Sequence, residues 1–364
     1  MSAACDTTDG PLFGGVMPRK GDRMGDVGTQ VVDAIYDQLK VETQWALRRP
    51  RGFTWWSYRL AQHIDVSPPV HDRGLDLCNM TIRTDMVRDV DPDSNPAAIL
   101  AQLNRQATVN ALVWDPTDST ISVRCAVTVH QDIASWIYYV LATAAILQND
   151  LAHSQTVALA QACGGSPAGS NHPTHGVRNE PNSSMDVPAR MITPAGGEPS
   201  KFIGAQCVGL ERFLAELAEV KGWYGNVDAE GATVEVPYSG QRPAMFQDRG
   251  SAGARLETAL VRVFTDVSHP QFGNGALMVM QLPVSPGPDW AASLANDLNS
   301  AESAGGYDVP PLFGAWVPDP FSDEENGLAF SCFLPNFLAM GGILNNWMVY
   351  QATRAQFARR FLDE

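Results

Sequence analysis

The chain has 364 residues, of which 45% are hydrophobic and 18% are charged, and this composition excludes an intrinsically disordered protein. Forty acidic residues outnumber 25 basic ones and give a net charge of -15, which repels phosphate backbones and argues against nucleic-acid binding. A chain of this length is expected to form about two domains.

The N-terminal residues show no signal-peptide pattern, because no basic start precedes an apolar run. The most apolar run, from Trp136 to Leu147, is too short to cross a bilayer. The six cysteines lack the C-x-x-C spacing of metal and redox motifs, and we expect them to be reduced and buried. The sequence therefore predicts a cytoplasmic protein without membrane insertion.

The first half predicts helices and antiparallel strands in the order α-β-β-α-β-β-α. Apolar residues three or four positions apart indicate the helices, and alternating apolar residues indicate the strands. The Asn95-Pro96 pair marks a helix start, since Asn can cap free amides and Pro fits the first helical position. The predicted elements are a helix from about Thr29 to Arg48, strands from Phe53 to Val66 and from Leu75 to Val87, a short helix after Asn95, a hairpin turning at Asp115 to Asp118, and a long helix that carries Ile133 to Leu151.

The segment from Gly164 to Ser200 is rich in Gly, Pro, Ser and Asn and has little periodicity, which is typical of an interdomain linker. After a loop-rich stretch from Gly222 to Gly253, the second half repeats the order of strands, helix, hairpin and helix. Each unit is expected to be α+β, with helices packed on one face of an antiparallel sheet. The predicted organisation is an arm at residues 1–28, a first domain at 29–163, a linker at 164–206 and a second domain at 207–364.

Short sequence landmarks recur in the same order in the two halves. The first set is Leu103-Asn104, Trp114 and Cys125, and the second set is Leu298-Asn299, Trp316 and Cys332. Such self-similarity indicates tandem duplication, with the two units related as a pseudo-twofold pair. Trp and Cys on these strands suit a packed core, and an Asn near a helix end suits capping or a turn. The landmarks therefore predict scaffold residues rather than a functional site.

The second half contains three short runs that carry a resemblance to a known superfamily. They are Asn296-Asp297-Leu298-Asn299, Gly314-Ala315-Trp316 and Leu328 to Asn336. With these runs the chain resembles actinobacterial proteins of the type III secretion chaperone and YbjN-like superfamily. The match covers about Asn296 to Phe361, while in the first half only the landmarks and the element order survive. The resemblance implies a compact α+β fold and a dimeric chaperone that binds extended segments of partner proteins.

Two histidines three positions apart, His172 and His175, call for a test of metal binding. Zinc takes three or four ligands, and beyond Cys163 and Glu180 the surrounding segment offers no cysteine pair or carboxylate at ligand spacing. The other histidines are isolated, and neither a nucleophile motif nor a phosphate-binding glycine loop is present. We therefore expect no metal, no cofactor and no catalytic residues.

Two features predict contact with a partner protein. On the strand from Phe53, alternation places Trp55 and Arg59 together on the open face of the sheet, where an exposed Trp beside an Arg is typical of a protein contact. Alternatively, the second domain, the linker or the arm covers Trp55. An acidic hairpin tip forms the second feature and could attract a basic partner; it contains Asp323, Glu324 and Glu325.

The sequence therefore favours a non-enzymatic, chaperone-like or adaptor protein that binds segments of a partner protein. A tandem chain could be a monomer that forms the pairing of single-domain relatives internally, or it could be a homodimer. The alternatives are an enzyme or small-molecule sensor with a site in the groove between the repeats, and a purely structural assembly component.

Overall fold

The computed structural model describes residues 25–188, 198–228, 230–238, 257–322 and 327–363. These residues form six α-helices and two antiparallel β-sheets, so the fold is mixed α+β. Within these ranges no helix combines the length and the apolar character that crossing a membrane requires.

The first half forms one sheet and three helices. Its elements are α1 (Val27–Gln38), β1 (Ala46–Arg49), β2 (Gly52–Trp55), β3 (Gln62–Val66), β4 (Val70–Asp72), β5 (Leu75–Arg88), α2 (Pro96–Asn104), β6 (Ala111–Asp115), β7 (Thr120–Val129), α3 (Ala134–Ala162) and β8 (Ser166–Pro167). The main strand order is β1-β2-β3-β5-β7-β6, and β4 and β8 also pair with β5.

The second half forms the other sheet. Its elements are α4 (Ala205–Lys221), β9 (Tyr224–Val227), β10 (Gly231–Pro237), β11 (Thr258–His269), β12 (Gly273–Gln281), α5 (Pro288–Ala304), β13 (Ala315–Pro318), β14 (Leu328–Pro335) and α6 (Ile343–Asp363). The strand order is β9-β10-β11-β12-β14-β13. In both sheets the first strand of the half lies at one edge, and the first strand of the last hairpin lies at the other.

Each half has four strands in its main sheet before the middle helix, where the sequence predicts two. In the first half, the predicted helix to Arg48 ends at Gln38, and Lys40 follows in the left-handed region with a φ of 49°. The predicted strand from Phe53 to Val66 is interrupted at residues 56–61. In the second half, β9 and β10 lie inside the stretch that the sequence predicts as loop-rich.

The helix start predicted at Asn95-Pro96 is in the right place, but Asn95 does not cap the helix as predicted. Pro96 opens α2 as expected. Asn95 has a φ of 56°, and its side chain makes no capping hydrogen bond. Asn tolerates the left-handed conformation better than most residues, so it serves here as a backbone turn.

The two halves share one hydrophobic core. A single cluster of buried residues includes helix positions from both halves, among them Val31, Leu141, Leu214 and Leu344. Helices α1 and α3 pack on one face of the first sheet, and α4 and α6 contact strands of the second. Between the sheets, α2 and α5 pack against each other, and each contacts both inner edge strands, β6 and β13.

Part of the predicted linker is bound to the first half. Within the described residues 164–188, β8 pairs with the end of β5, and Ala168 donates its N–H to the carbonyl of Met86 at 2.7 Å. Further along, Asn182 donates its N–H to the carbonyl of Ser57 at 2.8 Å. We call residues 165–182 the strap, because they cover the interruption between β2 and β3.

Candidate partner-binding surfaces

Trp55 is fully buried and does not lie on an open face, contrary to the prediction. Strand β2 ends at Trp55, so the alternation counted back from Ile64 through residues 56–61 does not apply. Phe53, two positions earlier on the same face, packs edge-on against Tyr36 of α1 with the ring centroids 5.0 Å apart. Trp55 therefore belongs to the face that the helices cover.

The other predicted contact residues lie apart from Trp55. Arg59 is exposed, and its guanidinium lies 5.1 Å above the ring of Tyr58. The predicted acidic tip, with Asp323, Glu324 and Glu325, lies outside the described residues. The structure therefore does not bring Trp55 and Arg59 together as an exposed pair.

Asparagine side chains cover the backbone of both inner edge strands. Asn104 accepts the N–H of Leu112 on β6 and donates to its carbonyl, both at 2.9 Å. Asn299 forms the same pair of bonds with Trp316 on β13, at 2.8 and 3.1 Å. Because an unpaired edge strand is a template for another strand, these amides protect the inner edges.

A third asparagine joins the two halves. Asn296 of α5 accepts the N–H of Trp114 on β6 at 2.9 Å and donates to its carbonyl at 3.0 Å. The corresponding position of α2, three residues before Asn104, is Ala101, so this clamp occurs in one direction only. Two asparagines three positions apart on one helix were visible in the sequence, but their targets depend on which strands the fold places beside that helix.

The repeated Trp landmarks are not equivalent in register. Asn104 binds the backbone of Leu112 in the first half, and Asn299 binds the backbone of Trp316 in the second. On the neighbouring strand, the residue paired with Leu112 or Trp316 lies two positions before the landmark Cys. Trp316 therefore corresponds to Leu112, and Trp114 lies two positions further along its strand. The Leu-Asn and Cys landmarks do correspond between the halves, and both Cys side chains are buried.

Short extended segments cross between the halves in both directions. Leu312, before β13, donates its N–H to the carbonyl of Ala126 on β7 at 2.8 Å. Ala107, before β6, accepts the N–H of Phe333 on β14 at 3.0 Å. Each flanking segment thus bonds to the strand next to the inner edge of the other half, just beyond the residues of β7 or β14 that pair with β6 or β13.

The outer edge strands differ in charge. On β1, Arg48 is paired with Asp33 at 2.8 Å and Arg49 with Asp65 at 2.6 Å, and charged side chains on an edge oppose the addition of another strand. On β9, Tyr224 is 66% exposed, and Gly225 and Asn226 are also exposed. No residue of β9 is charged.

The faces of the sheets opposite the long helices also differ in polarity. On the first sheet, this face carries the Arg49–Asp65 pair and Arg83, which is paired with Asp85 at 2.6 Å. On the second sheet, the half-buried Leu260, Phe264 and Leu277 lie on this face, together with Arg262, whose guanidinium lies 5.7 Å from the centroid of the Phe321 ring. Phe321 of the β13–β14 loop stacks on Phe264 with the ring centroids 6.2 Å apart.

A buried ion pair lies beside β13. Glu302 of α5 and Arg354 of α6 are both buried, with the Arg354 Nε 3.0 Å from each carboxylate oxygen. Trp316 donates its Nε1–H to Glu302 at 2.8 Å, and Arg354 also donates to the carbonyl of Pro311. Burial raises the pKa of Glu302 to about 7, although Arg354 and Trp316 act in the opposite direction. Because the pair is sealed from solvent, it is a structural element rather than a site for a substrate.

A small cavity lies at the junction of the halves. About 70 Å³ of it can hold solvent, and its walls include Asn104, Gln106 and Asp150 from the first half and Phe272 from the second. Burial raises the pKa of Asp150. Across the described residues, no cluster of three or more His, Cys, Asp or Glu side chains is arranged to hold a metal ion.

The chain was compared with models of protein families, with curated proteins and with solved structures, and none of the three comparisons gave a match.

Proposed function

We propose that this chain is a non-enzymatic, chaperone-like or adaptor protein that binds an extended segment of a partner protein. In this proposal its two α+β units arose by tandem duplication and form an intramolecular pseudo-dimer. The matching strand order of the two sheets supports the duplication. The runs around Asn296, Trp316 and Cys332, which resemble the secretion-chaperone and YbjN-like superfamily, support the chaperone role.

One observation carries the proposal: of the four strands at the ends of the two main strand orders, β9 alone lacks a described feature that opposes strand addition. Asn104, Asn296 and Asn299 occupy the backbone of the inner edges. Ion-paired arginines lie on β1. An extended peptide gains main-chain hydrogen bonds by adding to an exposed edge, so β9 is the surface where a partner segment would bind.

The surroundings of β9 favour a basic segment. Its hairpin with β10 carries Asp228 and Glu230 at the turn and Glu235 opposite Tyr224, and all three carboxylates are exposed. Lys221 is the exposed basic residue that precedes the strand. Charge complementarity between an acidic rim and a basic partner increases the association rate and the specificity.

The state of the cysteines supports the proposed cytoplasmic location. The five cysteines in the described ranges are free and buried. Disulfides form in oxidising compartments, so free thiols support a role in the cytoplasm.

Site-specific photo-crosslinking in the native host tests the proposal. A benzophenone side chain at Asn226 on β9 should crosslink to a defined segment of a protein partner, identified by mass spectrometry. The double substitution Tyr224→Lys and Asn226→Lys gives β9 the charge protection that β1 has. We expect it to lower the yield of this partner by about tenfold, which corresponds to about 1.4 kcal/mol of binding free energy.

Leu47→Lys on β1 is the matched control, because Leu47 is also an exposed edge residue. It should leave partner capture unchanged. Equal loss in both variants, or a crosslink that the lysines on β9 do not affect, would show that β9 is not the binding edge.

A small-molecule sensor is the second candidate, and the junction cavity favours it. The half-buried carboxylate of Asp150 lies there among amide side chains, without an ion pair in the described structure. Native mass spectrometry of the purified protein distinguishes the two functions. A bound small molecule together with failure to capture any protein would support the sensor and contradict the adaptor.

A further inference from the structure

The strap is fixed to residues 56–61 by hydrogen bonds that involve their main-chain carbonyls. The bonds run from the N–H of Ser170 to Arg59 at 3.0 Å, from the N–H of Asn182 to Ser57 at 2.8 Å, and from the guanidinium of Arg178 to Trp56 at 2.9 Å. Residues 56–61 make few ladder bonds of their own because they interrupt the sheet. The strap therefore holds this segment in place.

His172 of the strap is buried against two tryptophans. Its ring lies 4.9 Å from Trp56 and 5.9 Å from Trp45, measured between centroids. Its Nδ1 accepts the N–H groups of Thr174 at 3.2 Å and His175 at 3.1 Å, so the neutral ring carries its proton on Nε2. That Nε2 is buried and has no hydrogen-bond partner in the described part of the chain. A second proton would have to displace the two N–H groups at Nδ1.

His153 reaches the same segment from helix α3. Its ring packs against Tyr58 with the centroids 5.3 Å apart, and its Nε2 is likewise buried without a partner. Two imidazoles, one from the strap and one from α3, thus contact aromatic neighbours within one irregular segment. Among the residues that the structure describes, neither Nε2 has a group that would accept a hydrogen bond from a protonated ring.

The charged groups around the two rings oppose protonation. Arg59, above Tyr58, is the charge that acts on His153. On the strap, the ring of His175 lies 4.9 Å from His172, and Arg178 lies 5.1 Å from the Trp45 ring. The carboxylate on this side, Glu42, is already paired with Arg178 at 2.5 Å.

On α3, Asp150 lies one turn before His153 and lines the junction cavity. It forms no ion pair with His153 in the described structure.

We propose that His153 and His172 make the strap an acid-labile clasp, which releases residues 56–61 when the two rings become protonated. The closed strap keeps Trp56, Ser57 and Leu60 buried. Release would expose this apolar segment and the end of β5 that β8 covers. Opening of the strap at low pH would thus expose an apolar surface formed by residues 56–61 and the end of β5.

The direction of the effect follows from the two rings. Burial lowers the pKa of His172, and burial together with Arg59 lowers the pKa of His153 to about 4. When the strap opens and residues 56–61 move away from His153, both rings return to an ordinary pKa near 6.5. Closure therefore contributes its full stability above pH 6.5 and loses it as the pH falls toward the lowered values. For His153 alone, the ratio of closed to open strap should fall about 30-fold between pH 7.5 and pH 5.

Hydrogen exchange of the full chain measures this ratio directly. After correction for intrinsic exchange, the protection factors of amides in peptides covering residues 56–61 and 165–182 should be about 30-fold lower at pH 5 than at pH 7.5. Amides of β12, in the second sheet, should keep theirs. Protection of the strap that stays within twofold across this range would overturn the proposal, as would an equal loss in β12.

The double variant His153→Gln and His172→Asn should keep the strap closed at pH 5. The Asn oxygen can accept the N–H groups that Nδ1 of His172 accepts, and neither amide titrates. His71→Gln is the control, since His71 is exposed and paired with Asp76. Opening of the double variant at the same pH as the parent protein would contradict the clasp. If the variant does not fold, histidine NMR titration of the parent decides: the midpoint of strap opening must follow His153 and His172 protonation.

Discussion

The two halves join their sheets to their last helices by different chemistry. In the first half, Gln148 of α3 donates to the carbonyl of Ile82 at 3.0 Å and to Asn110 at 2.9 Å, within a network of neutral amides. In the second half, Arg354 of α6 binds the carboxylate of Glu302, and its guanidinium lies 3.5 Å above the ring of Phe330. One strand order is thus compatible with a neutral link and with a charged link.

The two links differ in how much stability they lose when one partner is removed. A buried amide that loses its partner leaves one unsatisfied polar group, whereas a buried ion that loses its partner leaves an uncompensated charge. An amide network also does not titrate, but a buried carboxylate does. We therefore expect the link of the second half to be more sensitive to substitution and to pH than the link of the first half.

The largest effect is expected from Arg354→Met. This change removes the cation but leaves Glu302 buried, and breaking a buried pair in this way typically costs about 3–5 kcal/mol of unfolding free energy. Gln148→Leu in the first half should cost less, about 1–3 kcal/mol, because it leaves only neutral groups unsatisfied. Urea unfolding of both variants at pH 7.5 makes the comparison.

The double variant Arg354→Met and Glu302→Gln controls for the lost packing of the arginine. It should recover part of the stability, because no charge is then left without a partner. If Gln148→Leu proves more destabilising than Arg354→Met, the contrast between the links is wrong.

The sequence predicts the scaffold better than the surface. Periodicity identifies the helix starting at Pro96 and the strand around Cys125, since a residue in a regular element shows its burial by its spacing. It fails at Trp55, because the strand ends there and alternation carries no information across an interruption. It also misses β9, whose Tyr-Gly-Asn-Val sequence has too little apolar pattern to indicate a strand.

The junction between the halves could not be predicted for a different reason. Asn296 and Asn299 are ordinary helix residues in the sequence, and their role is set by the backbone of strands as much as 182 positions away. Similarly, Trp114 and Trp316 take the same place in the order of the landmarks, but the register of each hairpin places them two positions apart. Long-range pairing, which no local pattern records, decides both points.

A second expected effect concerns the pH dependence of the charged link. Burial raises the pKa of Glu302 to about 7, against an ordinary value of 4.5. The folded state therefore binds more protons than the unfolded state between these values, and this contribution to stability falls as the pH rises from about 4.5 to about 7. The loss should be on the order of 3 kcal/mol.

Glu302→Gln isolates this contribution, because the amide does not titrate. The unfolding free energy of the parent protein minus that of this variant should decrease from pH 5 to pH 7.5. Subtraction removes the histidines and other carboxylates, which titrate equally in both proteins. A difference that is constant across the range would show that Glu302 stays ionised throughout.

The smallest of the three effects is expected from the loss of Asn296, which joins α5 of the second half to β6 of the first. Asn296→Ala gives α5 the residue that α2 has at the corresponding position, Ala101, and leaves the N–H and carbonyl of Trp114 without partners. We expect the unfolding free energy to fall by about 1–3 kcal/mol, and Asn104→Ala should give a similar loss by freeing the backbone of Leu112.

Hydrogen exchange separates the two variants, because Asn104 acts within one half and Asn296 between the halves. Asn296→Ala should expose amides on both sides of the junction, including Phe333, which donates to Ala107. Protection lost only at β6 would mean that the reciprocal segments at Leu312 and Ala107 hold the halves together without the asparagine.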